Sequence, residues 1–303
     1  MAKLLVCDPM DPEAVARMRA AGIEVDVRDT ITPKELDQVI GEYDAMVVRS
    51  RTKVRQPLLD KATRLKVIIR GGVGLDNIDA EYARQKGIKV LNTPRANSAA
   101  VAELVLGLMF ALARHITVAD ATMKAGRWEK KALEGSEIAG KTLGLIGFGR
   151  IGQLLAQKAL ALGMEVLAYD PYVAITMEGV RAASIEDILK QADYLSLHVP
   201  VTPETKNMIG TAQLALMKPT ACLINAARGG VVDEAALYEA LVNKQIAGAA
   251  LDVFTEEPPK SEALLKLIAL PNVVATPHLG ASTLEALARV GGEVADLAIE
   301  HLA

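Results

Sequence analysis

Two cysteines in 303 residues leave almost nothing from which to build a disulfide framework. Cys7 and Cys222 both lie in apolar, strand-like runs, so buried thiols in a reducing, cytoplasmic setting are expected. A surplus of positive charge is missing too. The 34 Lys and Arg face 37 Asp and Glu, a formal net charge of −3, which argues against a nucleic-acid partner. No apolar run is long enough to span a bilayer, and no membrane partner is expected. The longest, residues 104–113, is bracketed by Glu103 and Arg114 and reads as a buried helix. Residues 1–6 enter a strand directly and lack a secretory leader's layout. There is no internal repeat and no low-complexity tract, and no metal site is expected. The length suffices for two domains, each with its own core.

What the chain does have is glycine at a set spacing. The strand-like residues 142–146 run into Gly147, Gly149 and Gly152, the pattern G-x-G-x-x-G, and residues 153–160 then read as a helix. Each glycine has a physical role. Gly147 turns the chain off the strand, Gly149 lets a pyrophosphate approach the backbone, and Gly152 lets helix and strand pack closely. The phosphates would sit on free N–H groups at the positive end of the helix. A second strand, residues 165–169, leads into Asp170, eighteen positions past Gly152. An acid there accepts the ribose hydroxyls and repels a 2′-phosphate, so NAD is expected over NADP. The motif alone is a weak signal; the whole βαβ unit around it makes it a strong one.

The N-terminal part alternates strands (residues 3–7, 24–27, 45–48 and 67–70) with helices (12–20, 33–40 and 57–62), the pattern of a parallel sheet covered on both faces. Ligands gather at the carboxyl ends of such strands. Arg49, Ser50 and Arg51 end one strand, and Gly71, Gly72, Val73 and Gly74 follow another. Bare amides of the glycine loop suit a carboxylate, and the two arginines suit a carboxylate or phosphate; a solvated loop is the competing reading of the arginines. After Pro94 the pattern changes. Asn97-Ser98 supplies an N-cap, an apolar helix covers residues 99–114, and a more polar one runs through 118–125. Residues 127–140 are loop-like and carry Trp128, which suits either a subunit interface or ordinary packing. Later strands end at His198, Asn225, Asp252 and Thr276, and a closing helix over residues 284–301 is expected to return to the first domain.

Three strand ends carry the chemistry: Asn225-Ala226-Ala227-Arg228-Gly229-Gly230, Asp252-Val253-Phe254-Thr255-Glu256-Glu257-Pro258 and Thr276-Pro277-His278-Leu279-Gly280. Together they offer an arginine, a carboxylate and a histidine from one rim. Oxidation of a 2-hydroxy acid needs that set: a base for the hydroxyl proton, a cation for the carboxylate and the C2 oxygen, and a nicotinamide to take the hydride. A carboxylate beside the histidine fixes its tautomer and keeps it able to shuttle a proton near neutrality. Taken singly, each has a bland alternative: a core histidine, a surface arginine, a turn acid before proline.

These motifs, with Val48-Arg49-Ser50-Arg51-Thr52-Lys53-Val54, Gly74-Leu75-Asp76-Asn77-Ile78-Asp79 and Asn92-Thr93-Pro94, resemble the D-isomer-specific 2-hydroxyacid dehydrogenases over essentially the whole chain. The resemblance implies an α/β fold of two Rossmann-like or flavodoxin-like parallel-sheet domains with the active-site cleft between them. It implies a discontinuous substrate domain, residues 1–94 plus 282–303, and an NAD-binding domain, residues 95–281. By the same resemblance Arg228, Glu257 and His278 are catalytic, with Glu256 a solvated neighbour. The cofactor contacts it implies are Gly147, Gly149, Arg150, Ile151, Gly152, Asp170, Pro200, Ala226, Ala227, Arg228, Asp252, His278, Gly280 and Ala281. On the substrate side it implies Arg49, Ser50, Arg51, Gly72, Val73 and Gly74; Val73 stands where relatives often carry a hydroxyl residue. The expected partner is a phosphorylated 2-hydroxy acid, D-3-phosphoglycerate first, with glyoxylate, hydroxypyruvate or D-lactate-like acids as alternatives. An NAD-sensing, corepressor-like binding protein is the competing class. A homodimer or higher homo-oligomer is also implied, as is freedom from serine feedback through a C-terminal regulatory domain.

Overall fold

The computed structural model describes all 303 residues, and the chain divides into two compact units. One, the N-terminal unit, is Met1–Asn97 with Ala281–Ala303; the other, the central unit, is Ser98–Gly280. The divisions thus fall at 97/98 and 280/281, where the sequence put them at 94/95 and 281/282.

In the N-terminal unit, β1 (Lys3–Val6), β2 (Glu24–Val27), β3 (Ala45–Val48), β4 (Val67–Arg70) and β5 (Lys89–Asn92) form a parallel sheet in the order β2-β1-β3-β4-β5. Helices α1 (Pro12–Ala20), α2 (Pro33–Val39), α3 (Gln56–Lys61) and α4 (Ala80–Gln85) connect them. Local chemistry starts these helices: Pro33 follows a capping box in which Thr32 and Glu35 bond each other's backbone N–H. Side chains alternate across the sheet. Leu5, Met46 and Ile68 enter one core; Leu4, Val47 and Ile69 enter the other, which the closing helix completes.

The central unit opens with the apolar α5 (Ser98–Ala113) and then α6 (Ile116–Lys124); no single helix of the chain is long and apolar enough to cross a membrane. The sheet follows: β6 (Thr142–Ile146), α7 (Arg150–Ala161), β7 (Glu165–Tyr169), β8 (Val180–Ala182), α8 (Ile185–Gln191), β9 (Tyr194–Leu197), α9 (Thr211–Leu214), β10 (Cys222–Asn225), α10 (Glu234–Val242), β11 (Gly248–Leu251), α11 (Glu262–Ile268) and β12 (Val273–Ala275). All seven strands are parallel, in the order β12-β11-β10-β9-β6-β7-β8. Every residue of β9 and of β11 is buried, as a sheet covered on both faces requires.

The closing helix α12 (Leu284–Leu302) begins at Thr283, whose hydroxyl accepts the Ala286 N–H, and packs on α1. A Cβ at Gly291 would lie 2.8 Å from the Asp11 side chain, so the glycine sets how closely the two helices meet. Three local expectations need correcting. Edge strand β8, short and mostly exposed, has no apolar pattern and escaped the sequence reading. Residues 127–140 are not all loop, for Lys130–Leu133 forms a 3-10 turn. Cys7 is fully buried, whereas Cys222 is only partly so.

Candidate active site

In both sheets the strand order reverses beside the first strand, at β1/β3 and at β6/β9, and crevices at such switch points collect ligands. The glycine loop lies at the second of these. Gly147 turns with φ 97°, and a Cβ there would lie 2.4 Å from the His198 carbonyl oxygen. A Cβ at Gly152 would press on the Gly147 carbonyl at 2.5 Å, so helix and strand are as close as a side-chain-free residue allows. Gly149 has open space beside it, with no atom within 4 Å, and it precedes the first turn of α7, where Arg150 and Ile151 carry unsatisfied N–H groups. At the end of β7, Asp170 Oδ2 accepts the Phe148 N–H at 2.7 Å, and Oδ1 accepts those of Tyr172 and Val173. A carboxylate has about four acceptor positions, so Asp170 both shapes the glycine loop and keeps capacity for a ribose hydroxyl. The residues present fit a dinucleotide.

Next along the rim comes the Arg228 turn. Buried Asn225 folds it, its amide N–H donating to the Arg228 carbonyl at 2.9 Å and its Oδ1 accepting the Ala227 N–H at 3.1 Å. A Cβ at Gly229 would overlap the Phe254 carbonyl, 1.9 Å away, so this turn lies directly against the segment bearing Glu257. Glu257 Oε2 meets His278 Nδ1 at 2.8 Å, and Oε1 accepts the Phe254 N–H at 3.1 Å. Burial pushes the Glu257 carboxyl up. The His278 hydrogen bond and charge, the Phe254 amide and the Arg228 guanidinium outweigh it and hold the group below the ordinary carboxylate range. Glu256 is more than a solvated neighbour, because its Oε2 accepts the Lys260 and Ser261 N–H groups ahead of α11.

His278 sits at φ 54°, in the left-handed region that costs a non-glycine residue energy. Asp252 holds it there. This carboxylate is fully buried and accepts the Thr276 hydroxyl at 2.6 Å and the Leu279 and Gly280 N–H groups at 2.7 and 2.9 Å, while its own carbonyl takes the His278 N–H. Pro200 is exposed at the end of β9, its carbonyl accepting the Thr205 hydroxyl, and Ala226 and Ala227 line the Arg228 turn. Ala281 belongs to the other unit. The sequence reading missed Asn225 as the shaper of the turn. His198, just past β9, has Nε2 3.0 Å from Ser196 Oγ and a buried Nδ1 with no partner; burial pulls it down to about 4.

In the N-terminal unit, Ser50 is exposed at the tip of the loop after β3, and Gly72, with φ 142°, and Val73 and Gly74 follow β4. The Val73 carbonyl accepts the Asn92 side-chain N–H at 2.6 Å. Arg49 is half-buried. The Arg51 guanidinium pairs with Asp8 at 2.9 Å and donates to the Cys7 and Asp29 carbonyls, so its charge is met within its own chain. A partner 43 residues away in sequence left no local signal.

A glycine-turn dinucleotide cradle beside an arginine, a histidine and its carboxylate is the constellation of a nicotinamide-dependent dehydrogenase of hydroxy acids. Residues 106–280 match the family described as D-isomer specific 2-hydroxyacid dehydrogenase, NAD binding domain. A hydroxypyruvate reductase of Thermotoga maritima is 49% identical over 98% of this chain and 97% of its own length. A D-3-phosphoglycerate dehydrogenase of Methanocaldococcus jannaschii is 50% identical over 98% of this chain, which spans only 56% of that relative. Among solved structures, D-lactate dehydrogenase from Aquifex aeolicus, complexed with NAD and lactic acid, superposes with a TM-score of 0.83 at 31% identity, over 97% of this chain and 93% of that one. The chain belongs to the D-isomer specific 2-hydroxyacid dehydrogenase family, and it is an enzyme with NAD as its cofactor.

Proposed function

We propose that the chain oxidises D-3-phosphoglycerate to 3-phosphohydroxypyruvate, with His278 as the acid–base residue, Glu257 as its orienting partner and Arg228 as the carboxylate anchor. The observation that carries the chemistry is the 2.8 Å contact between His278 Nδ1 and Glu257, which fixes Nδ1 as the inner nitrogen and leaves Nε2 for the C2 hydroxyl. His278 Nε2 takes the hydroxyl proton in oxidation and returns it in reduction. Arg228 holds the carboxylate and polarises the C2 oxygen. Bound NAD supplies the hydride acceptor. Gly147, Gly149, Gly152 and the first-turn amides of Arg150 and Ile151 receive the pyrophosphate, and Asp170 the adenosine ribose. Pro200, Ala226, Ala227, Asp252, Gly280 and Ala281 supply the remaining cofactor contacts. From the N-terminal unit, Arg49 and the Gly72 to Gly74 amides supply substrate contacts.

A second acid has a specific observation in its favour. With Arg51 tied to Asp8, only Arg49 of the pair meets no carboxylate, which suits a singly charged acid such as hydroxypyruvate or glyoxylate. The relative matched along 97% of its own length carries the hydroxypyruvate name. NADH absorbance, followed with 3-phosphoglycerate, D-glycerate and D-lactate forward and with hydroxypyruvate and glyoxylate in reverse, separates the readings. A kcat/KM highest for 3-phosphoglycerate supports the first; turnover of unphosphorylated acids alone supports the second. Silence with every acid in both directions removes the dehydrogenase activity itself.

A homodimer through α5, α6 and the Trp128 arm is also proposed. Phe110, Ile116, Met123 and Trp128 all stand exposed there, Trp128 by 78%. Sedimentation of Trp128→Glu, expected to shift toward monomer, tests it.

A further inference from the structure

The carboxyl end of β1 lies at the N-terminal unit's own switch point, and Asp8 occupies it, 2% exposed. Its four acceptor positions are all taken by one loop. Oδ2 accepts the Arg49 N–H at 2.6 Å and the Thr52 N–H at 3.5 Å; Oδ1 accepts Arg51 Nε at 2.9 Å and the Thr52 hydroxyl at 3.1 Å. The loop is held from its other side by Asn77, also buried, whose two side-chain N–H groups donate to the Arg49 and Thr52 carbonyls, both at 2.7 Å. Asn77 is in turn fixed by the main-chain bond from Val54 N–H to its carbonyl. Both backbone groups of Arg49 and both of Thr52 are therefore bound by two buried side chains. Arg51, though 49% exposed, folds back onto Asp8 and the Cys7 and Asp29 carbonyls. Ser50 is exposed, and Arg49 is half-buried, its stem running past Gly71, where a Cβ would lie 3.3 Å from Arg49 Cγ. The Arg49 head has only the Pro9 carbonyl, at a long 3.4 Å.

We propose that Asp8 and Asn77 are positioning residues for the substrate: they lock residues 49–52 into one conformation in which Arg51 is the internal counter-ion of Asp8 and Arg49 is the cation offered to the acid. This rests on the reading of the chain as a hydroxyacid dehydrogenase and assigns different roles to two arginines that the motif makes look alike. Asp8 touches no reacting atom; it acts through Arg49.

Two readouts test the clamp. The first needs no activity: trypsin cuts after arginine, and the bonds after Arg49 and Arg51 lie inside the clamped loop. Under native conditions, Asp8→Asn and Asn77→Ser are expected to raise the rate of clipping at these two bonds by about tenfold or more, with clipping elsewhere unchanged. Clipping at the wild-type rate in both variants overturns the proposal, and so does a loop already cut rapidly in the wild type. Two routes to the same loop guard against one variant failing to fold, and unchanged NADH binding shows that the central unit is intact. The second readout is a double-mutant cycle on steady-state kinetics. Asp8→Asn and Arg51→Gln are each expected to raise the KM for the acid by about tenfold with little change in kcat, and together to cost no more than one alone. Additive losses would mean that Arg51 meets the substrate directly, and would overturn the assignment. Wild-type inactivity toward every acid would overturn the dehydrogenase reading instead, and the trypsin rates would still decide the clamp.

Discussion

In the central unit, Asp252 stands at the end of β11 and gathers the Thr276 hydroxyl and two loop amides, so that His278 is held in a left-handed conformation. In the N-terminal unit, Asp8 stands at the end of β1 and gathers two loop amides, a hydroxyl and a guanidinium. Both are buried carboxylates that act on the loop after a different strand. They differ in how the charge is met: Asp252 is bonded by neutral donors, whereas Asp8 has a cation on it. Burying a carboxylate is tolerable when donors meet it, and the two sites show two ways of supplying them, three neutral donors on Asp252 and four donors including a guanidinium on Asp8. The difference also sorts the functional groups. The neutral solution places His278 against Glu257, and the ionic one holds Arg51 on Asp8.

The largest break in this comparison is expected at His278. His278→Asn removes the proton shuttle and should lower kcat by about a thousandfold while leaving NADH affinity intact; stopped-flow hydride transfer and fluorescence titration check both halves. The support under it comes next. Asp252→Ala strands two amides and a hydroxyl, and a loss of roughly 3 kcal/mol in denaturant unfolding is expected, together with a fall in kcat. Arg51→Ala, which leaves Asp8 without its cation, should cost less because Arg51 is 49% exposed, on the order of 1–2 kcal/mol. A similar loss from both variants would erase the distinction drawn between them.

Acid should separate the units too. His198 titrates near 4 in the folded central unit against an ordinary value of about 6.5. Its folded-state value is the lower one, so its contribution is present above about pH 6.5 and is lost as pH falls toward 4, about 2 kcal/mol of it by pH 5. Melting temperatures of His198→Gln should therefore vary less between pH 7 and 5 than those of the wild type; equal slopes would contradict this. The smallest effect belongs to Glu257. Its carboxyl lies below the ordinary range, so it stabilises the fold above about pH 4.3 and loses that contribution only in stronger acid. Glu257→Gln should flatten melting curves there alone.

Much of this is legible from residue order alone. The strand ends at Asn225, Asp252 and Thr276, the glycine loop and the histidine–carboxylate–arginine set all stand in local sequence, because apolar runs, turn glycines and polar strand ends are short-range patterns. The pairing of His278 with Glu257 is readable for the same reason: each closes a motif whose partner closes the next strand or the one before it. Edge strand β8 is not, since three mostly exposed residues carry no periodic signal.

Sequence by itself determined that this chain makes parallel sheets, turns on glycine under a dinucleotide, and brings one arginine, one glutamate and one histidine to successive strand ends. Only the tertiary structure decided which residues those loops rest on. The strand order put Asp8 beside the loop after β3, 43 residues before Arg51, and so gave Arg51 a counter-ion within its own chain. Charge and residue type are written in the chain; which charge is already neutralised depends on what folding brings within about three ångströms of it.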